Sequence, residues 1–329
     1  MRIAQVLLSP RIGGAESLAA SLEASWISKG HTAKTFYLDR TSGRSKFRLL
    51  RLARVLRTFK PEAIVSHSAM PNVYTRLAAP LGVGIFTVLH SASDDFEIRK
   101  LRWAERILRA RTTAVIAVSE SQLETYVSRF GRRVQTSVIP NGIRENLPYR
   151  PNKSMAPTSV STIARIAQQK NPQFWLDVGD ALSQRSPQLR LTWHGPATDE
   201  PGIAEIVRSA TGPNVLFLPP TDDPGRELSR SDIVFHPASR EAFSIGLLEA
   251  GAVGVPIVCS SVIAETLPGW LPKTTYVDGD VDSAANAIVN VVHNYRKAAE
   301  ESAKAASRVR KLFSGEICAD RYLTLIQES

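Results

Sequence analysis

The 329-residue chain has only two cysteines, Cys259 and Cys318. Two thiols make no disulfide framework, and neither has neighbours at zinc-ligand spacing. This excludes a disulfide-stapled module and a structural zinc site, and both thiols are read as reduced and buried. No run reaches the roughly 18 apolar residues that span a bilayer. The opening strand-like run Met1–Pro10 lacks the basic start and longer apolar core of a secretion signal. There is no internal repeat and no low-complexity tract. Acidic residues are scarce in the first half: residues 1–150 hold 11 acidic and 24 basic groups, residues 151–329 hold 20 and 17. The net charge of +10 therefore sits in the first half, which points that half toward an anionic surface or ligand. No nucleic-acid-binding motif is present, nor the basic–aromatic alternation that stacks bases, so nucleic acid is not an expected partner.

What is present is a composition of 43% hydrophobic and 22% charged residues, ordinary for a globular chain, in a length that suits two domains. Short apolar runs alternate with helical patterns. Ile3–Leu8, Thr35–Leu38, Ala63–Ser66, Ile85–Leu89, Ala114–Val118 and Ser137–Ile139 read as strands. Helical spacing lies between most of them, at Ala15–Ser28, Arg44–Phe59, Pro71–Ala79, Ile98–Leu108 and Ser121–Arg129. Four prolines and three asparagines in Pro140–Pro157 suit a linker. The alternation then resumes, with strands at Val160–Ile163, Arg190–Trp193, Val215–Leu218, Asp232–His236 and Pro256–Ser260. Helices are expected at Gln173–Ser183, Gly202–Ser209, Ser244–Ala252, Ser283–Ser307 and Ser314–Gln327. Such alternation predicts two doubly wound parallel sheets, with ligand at the C-terminal ends of the strands.

The strongest local signal is Ser239-Arg240-Glu241-Ala242-Phe243-Ser244-Ile245-Gly246-Leu247-Leu248-Glu249-Ala250, which follows a strand and opens a helix. The free amides near Phe243, Ser244 and Ile245 would make a phosphate site at the helix N-terminus. Glu249, in the second turn, could accept two hydrogen bonds from a ribose diol, and Glu241 could hold a sugar hydroxyl. In isolation, the two glutamates read equally as a loop charge and a solvated helix residue.

The segment resembles the glutamate-x7-glutamate motif of the retaining nucleotide-sugar glycosyltransferases of family 4, which have the GT-B fold. Other segments agree in order. Gly13-Gly14-Ala15-Glu16 is similar to the family's N-terminal glycine loop, and Ser66-His67-Ser68 and Leu89-His90-Ser91 to its two strand-end histidines. Val118-Ser119-Glu120 and Ile139-Pro140-Asn141-Gly142 resemble the markers that close the first domain. Ala164-Arg165-Ile166-Ala167-Gln168-Gln169-Lys170-Asn171-Pro172 resembles the arginine-to-lysine loop that opens the second. Phe313-Ser314 and Tyr322 match the returning last helix. The resemblance implies two Rossmann-like domains facing a cleft: 1–150 for the acceptor, 151–310 for the nucleotide sugar, and 311–329 as a helix packing back on the first. It also implies retention of configuration and contact of His90 with the transferred sugar; His67 is read as structural.

A nucleoside diphosphate leaving group carries about two negative charges. Arg165 and Lys170 are the candidate cations for it, aided by the helix start at Ser244 and the amides of Gly13 and Gly14. His90, Glu241, Arg165 and Lys170 are thus the candidate catalytic residues. Gly13, Gly14, Arg165, Lys170, Glu241, Phe243, Ser244, Ile245 and Glu249 are the candidate donor-binding residues. Asp278-Gly279-Asp280-Val281-Asp282 fits a metal-binding text, but Ser283 and Val289 stand where a calcium loop needs Gly and Glu. It reads as a turn in which Asp282 or Ser283 caps the next helix, so no metal and no cofactor are expected beyond the nucleoside diphosphate sugar as co-substrate.

Three places depart from the family's pattern. Arg144 stands where an aspartate is common, His194-Gly195-Pro196 replaces a doubled glycine turn, and the first domain is short. From Arg40 to Pro61 there are eight basic and no acidic residues. Leu49, Leu52, Ala53, Leu56 and Phe59 share one helical arc, while Phe47, Leu50 and Val55 fall among Arg44, Arg48, Arg51, Arg54 and Arg57. A second cluster runs Arg99, Lys100, Arg102, Trp103, Arg106, Arg109 and Arg111. Apolar groups among arginines suit a helix at a membrane surface, where each basic group near anionic lipid contributes about 1 kcal/mol. The expectation is a cytoplasmic hexosyltransferase, using UDP or GDP sugars and peripheral on the inner face of the cell membrane. It would act on a lipid-linked or saccharide acceptor in cell-envelope polysaccharide, lipopolysaccharide or glycolipid assembly. A sugar-nucleotide epimerase of similar fold and a non-enzymatic basic binding protein are the alternatives.

Overall fold

In a computed structural model, the chain is described throughout except at residues 11–13, 40–47, 92–94, 151–155 and 211. It divides into two compact units, Met1–Gly142 with Phe313–Ser329, and Ile143–Leu312.

The first unit is a six-stranded parallel sheet built from β1 (Arg2–Leu7), β2 (Thr32–Tyr37), β3 (Ala63–His67), β4 (Gly84–Leu89), β5 (Ala114–Ala117) and β6 (Gln135–Val138), in the order β2-β1-β3-β4-β5-β6. Successive strands are joined by α1 (Gly14–Ser28), α2 (Arg48–Phe59), α3 (Ala69–Ala78), α4 (Arg99–Leu108) and α5 (Glu120–Phe130). Side chains alternate across β1. Ala4 and Val6 pack with Leu52 and Leu56 of α2 on one face, while Gln5 points at α1 on the other and donates to Ala19 O. Because the strand order reverses only once, after β2, right-handed crossovers place α1 alone on its face and α2 through α5 on the opposite one. Val55 packs against the α2 core rather than standing among the arginines, and Arg44 and Phe47 lie outside the described residues.

The second unit repeats the scheme with β7 (Ser159–Ile163), β8 (Arg190–His194), β9 (Val215–Leu218), β10 (Ile233–His236), β11 (Ile257–Ser260) and β12 (Thr274–Tyr276), in the order β12-β11-β10-β7-β8-β9. Its helices are α6 (Pro172–Arg185), α7 (Ile203–Ser209), α8 (Pro224–Arg230), α9 (Ile245–Val253), α10 (Ser261–Ala264), α11 (Val281–His293) and α12 (Tyr295–Phe313). Trp175 of α6 and Trp193 of β8 meet edge to face at 5.5 Å in a core that α11 closes with Ala284, Ala285 and Ile288.

The single helix expected over Ser283–Ser307 is two. The break falls at Asn294, the C-cap of α11 (φ −108°, ψ 25°), whose side-chain amide donates to Asn290 O at 3.0 Å alongside its own backbone N–H. The cap of α11 is Asp280, which accepts from Ser283 N at 2.9 Å. Asp282 instead pairs with Arg185, and Ser283 Oγ accepts from Val277 N.

The boundary falls after Gly142, not at residue 150. Ile143 and Leu147 are already buried, Arg150 N donates to Val253 O at 3.1 Å, and Arg310 of α12 donates to the carbonyls of Leu147 and Pro148. The chain re-enters the first unit at Phe313. There α13 (Gly315–Glu328) covers α1: Trp26 Nε1 donates to Ala319 O at 3.2 Å, and Tyr322 packs edge-on against Trp26. Both cysteines are buried and unpaired, and burial pushes each thiol up to about 12.

Candidate functional site

In the second sheet the strand order reverses between β7 and β10, so the loops that leave these neighbouring strands diverge and open a crevice. The β7 loop is held in several ways. Ile166 N donates to Pro196 O at 2.9 Å and Thr198 N to Ile166 O at 3.0 Å, while Trp193 Nε1 donates to Ala164 O at 2.8 Å. The loop then tightens into a 3-10 turn at Gln168–Lys170, and Asn171 enters the left-handed region (φ 56°) just before Pro172 opens α6. This turn carries Lys170 to the β10 loop, where its ammonium pairs with Glu241, and Gln169 Nε2 donates to Arg240 O at 3.0 Å.

Glu241 Oε1 also meets His236 Nε2 at 3.2 Å. A carboxylate only accepts, so that nitrogen carries the proton. Burial alone would raise the Glu241 carboxyl, but the charge of Lys170, followed by the His236 hydrogen bond, holds it at about 2. His236 is buried and shifted down chiefly by that burial, so it donates as a neutral ring. The site is therefore a fixed anion between a cation and a neutral donor, with Glu241 Oε2 free to accept. His236 was not among the sequence candidates. Its signal was a polar residue ending a strand at the reversal of strand order, five residues before Glu241.

Ser244 is the N-cap of α9 and makes no side-chain cap, leaving the first-turn amides of α9 open; Phe243 beside it is buried. Glu249 in the second turn is 3% exposed, not solvated. Its Oε1 accepts from Arg144 N at 3.2 Å and lies 3.5 Å from Arg144 Nε. Burial raises the Glu249 carboxyl against the pull of Arg144. The residue noted as a departure from the family's pattern is thus the partner of the second motif glutamate. Arg165 follows β7 with its side chain exposed.

The remaining candidates lie in the first unit. His90 follows β4, and its Nε2 lies 3.0 Å from Nδ1 of the buried His67. Burial lowers His90 to about 4. Gly14 opens α1 and is exposed, whereas Gly13 lies outside the described residues. Among the described residues, no group of three or more His, Cys, Asp or Glu side chains could hold a metal ion.

Residues 7–147 match the family model Glycosyltransferase Family 4, and residues 157–294 match the model Glycosyl transferases group 1. EpsF of Bacillus subtilis (strain 168), which carries a provisional glycosyltransferase assignment, is 26% identical over 239 residues. That match covers 65% of this chain and 61% of EpsF, so the chain spans about three fifths of this relative. The UDP-Gal:alpha-D-GlcNAc-diphosphoundecaprenol alpha-1,3-galactosyltransferase of Escherichia coli is 22% identical over 273 residues, 74% of this chain and 69% of that enzyme. Among solved structures, Anabaena HepE in complex with UDP and glucose superposes with a TM-score of 0.81 at 19% identity, covering 100% of both chains.

Proposed function

Since the chain belongs to the family 4 glycosyltransferases, on the GT-B fold, we propose that it moves a hexose-type sugar from a nucleoside diphosphate to an acceptor hydroxyl with retention and without a metal ion. The observation that carries the reading is the Lys170–Glu241–His236 cluster at the strand-order reversal, beside the uncapped start of α9. Lys170 and Arg165 neutralise the departing diphosphate, and the amides at Ser244 and Ile245 receive its oxygens beside Phe243. Glu241, kept ionised, accepts from a sugar hydroxyl through Oε2. Glu249 accepts from the ribose through the oxygen that Arg144 leaves open. The roles of His90 at the sugar and of Gly13 and Gly14 at the phosphates rest on the family resemblance. The UDP complex of HepE and the UDP-sugar named for the Escherichia coli relative favour UDP as the donor nucleotide.

The acceptor assigned here is lipid-linked, presented at the inner face of the cell membrane. Helix α2 exposes Leu50 (68%), and helix α4 exposes Trp103 (53%) and Ile107 (69%). Arg54, Arg57, Arg99, Lys100 and Arg106 are exposed on the same helices. The other described arginines of the two clusters have structural partners: Arg48 pairs with Asp39, and Arg51 holds Leu38 O, Arg102 Phe96 O, Arg109 Phe130 O and Arg111 Ala79 O. The Escherichia coli relative is named for a diphosphoundecaprenol acceptor. No described helix is long and apolar enough to cross a membrane.

The test is a thermal-shift screen of nucleoside diphosphates and their sugars, followed by donor hydrolysis and transfer with and without chelator. Stabilisation by UDP, chelator-resistant turnover and a product of retained configuration by NMR are expected. Activity lost in chelator and restored by magnesium or manganese would remove the metal-independent reading. Release of a free epimer would favour the epimerase. Sedimentation with anionic liposomes at low salt, lost in Trp103→Ser, tests the membrane surface.

A further inference from the structure

Gln5 sits in the middle of β1 with no solvent exposure, between the apolar Ile3 and Leu7. A buried amide in a central strand is costly unless every group is paired, and here each is. Its Nε2 donates to Ala19 O at 2.7 Å and lies 3.3 Å from Thr35 Oγ1, and its Oε1 lies 3.1 Å from His67 Nε2.

The direction of every hydrogen follows. Ala19 O can only accept, so the amide nitrogen faces α1 and Oε1 faces His67. Thr35 donates to the Glu23 carboxylate and therefore accepts from Gln5. Gln5 Oε1 must then accept from His67 Nε2–H, which leaves Nδ1 of a neutral His67 as an acceptor. The hydrogen between His67 Nδ1 and His90 Nε2 thus belongs to His90. The two ring planes are 19° apart with centroids at 5.2 Å, so the rings meet edge to edge in nearly one plane.

The sheet register makes this line. Thr35 pairs with Gln5 across β2 and β1. Gln5 pairs with Val65, two residues before His67 on the same face, and His67 pairs with Val88, two residues before His90. The chain of hydrogen bonds therefore crosses four strand positions, advancing toward the C-terminal edge of the sheet. Its far end is anchored by Gln122 Nε2, which donates to Ser91 O at 2.9 Å. Beside it, Ser68 holds φ 75° and ψ 162°, a conformation rarely adopted outside glycine.

We propose that Gln5 and His67 are positioning residues that fix the His90 imidazole as its Nε2–H tautomer, turn that proton into the protein, and leave the Nδ1 lone pair to accept from a hydroxyl of the transferred sugar. The use of the lone pair rests on the reading of His90 given above; the tautomer does not. Burial, which holds both rings below the ordinary histidine range, agrees with two neutral imidazoles.

The test is long-range 1H–15N correlation of the histidine rings in the 15N-labelled full chain at pH 7, with His90→Ala to assign the signals. Protonated Nε2 and bare Nδ1 on both rings are expected. A proton on Nδ1 of His90 overturns the proposal whatever the activity. Gln5→Met, which keeps the length and removes the acceptor, should release both rings into mixed tautomers. It should also lower kcat at least about tenfold, as for residues that orient other functional imidazoles, with KM for the donor unchanged. His67→Asn keeps an acceptor near Nδ1 and should retain the His90 tautomer and most of kcat; His67→Leu should lose both. Equal kcat in His67→Asn and His67→Leu overturns the positioning role. Full transfer by His90→Ala would overturn the sugar contact alone, because the spectra decide the tautomer independently.

Discussion

Glu241 is the residue on which the proposed donor site turns, and its charge is set by its neighbours. Replacing Lys170 by Ala removes the cation that outweighs burial, so the Glu241 carboxyl moves up, and the diphosphate loses a point charge. We expect kcat to fall about a hundredfold, the cost of losing one preorganised stabiliser of developing charge, in steady-state donor hydrolysis. The same ion pair makes stability depend on pH. The Glu241 carboxyl titrates at about 2 in the folded chain, against an ordinary 4.5. Between these values the unfolded chain binds a proton that the folded one does not, so the stability it gives is complete above pH 4.5 and lost as pH falls toward 2. The amount is on the order of 3 kcal/mol. Glu241→Gln should flatten the dependence of urea midpoint on pH below 4.5. His90, at about 4 against 6.5, acts one window higher: stability falls as pH drops from 6.5 to 4.

At the scale of elements, the β7 loop reaches Glu241 because β8 leaves room for it. A Cβ on Gly195 would lie 1.8 Å from Ala164 O, a clash with backbone that no rotamer relieves. Gly195→Ala should therefore displace the loop, cost about 1–3 kcal/mol in urea unfolding, and weaken nucleotide binding through Lys170 without touching it. The departure from a doubled glycine turn at His194-Gly195-Pro196 thus keeps the one glycine that the crossing requires. This turn also shows what the sequence discloses. Alternating strands and helices, the Glu241–Glu249 spacing and the helix start at Ser244 are local patterns, and local patterns are legible. Asp223-Pro224 was an equally local start signal for α8, where Asp223 accepts from Arg226 N at 2.9 Å. By contrast, the Arg144–Glu249 pair joins residues 105 apart. The His236 contact depends on which strands are neighbours, as does the line from Thr35 to His90. Strand order is not written in periodicity, so these partners emerge only once the sheet is assembled. The short β12 escaped for another reason: only three residues form it, too few for alternation to register.

At the scale of the whole molecule, the first unit is assembled from two stretches of chain separated by the entire second unit. Its closure depends on α13, and α13 depends on Tyr322, which is fully buried against Trp26 beside the Lys29–Asp320 ion pair. The surface pair contributes at most about 1 kcal/mol. Tyr322→Ala leaves a cavity costing about 3–5 kcal/mol. The loss falls on the first unit, because the groups that lose their packing belong to α1 and α13. The second unit has its own aromatic core around Trp175, Trp193 and Phe217 and carries the proposed nucleotide site. Calorimetry of Tyr322→Ala should therefore show a transition displaced to lower temperature, ahead of one that keeps its wild-type position. Saturating UDP, at about a hundred times Kd, should stabilise the later transition by roughly 2.7 kcal/mol. A single transition that shifts as a whole would mean that unfolding is cooperative across the boundary at Gly142. Stabilisation of the earlier transition alone by UDP would move the nucleotide site out of the second unit.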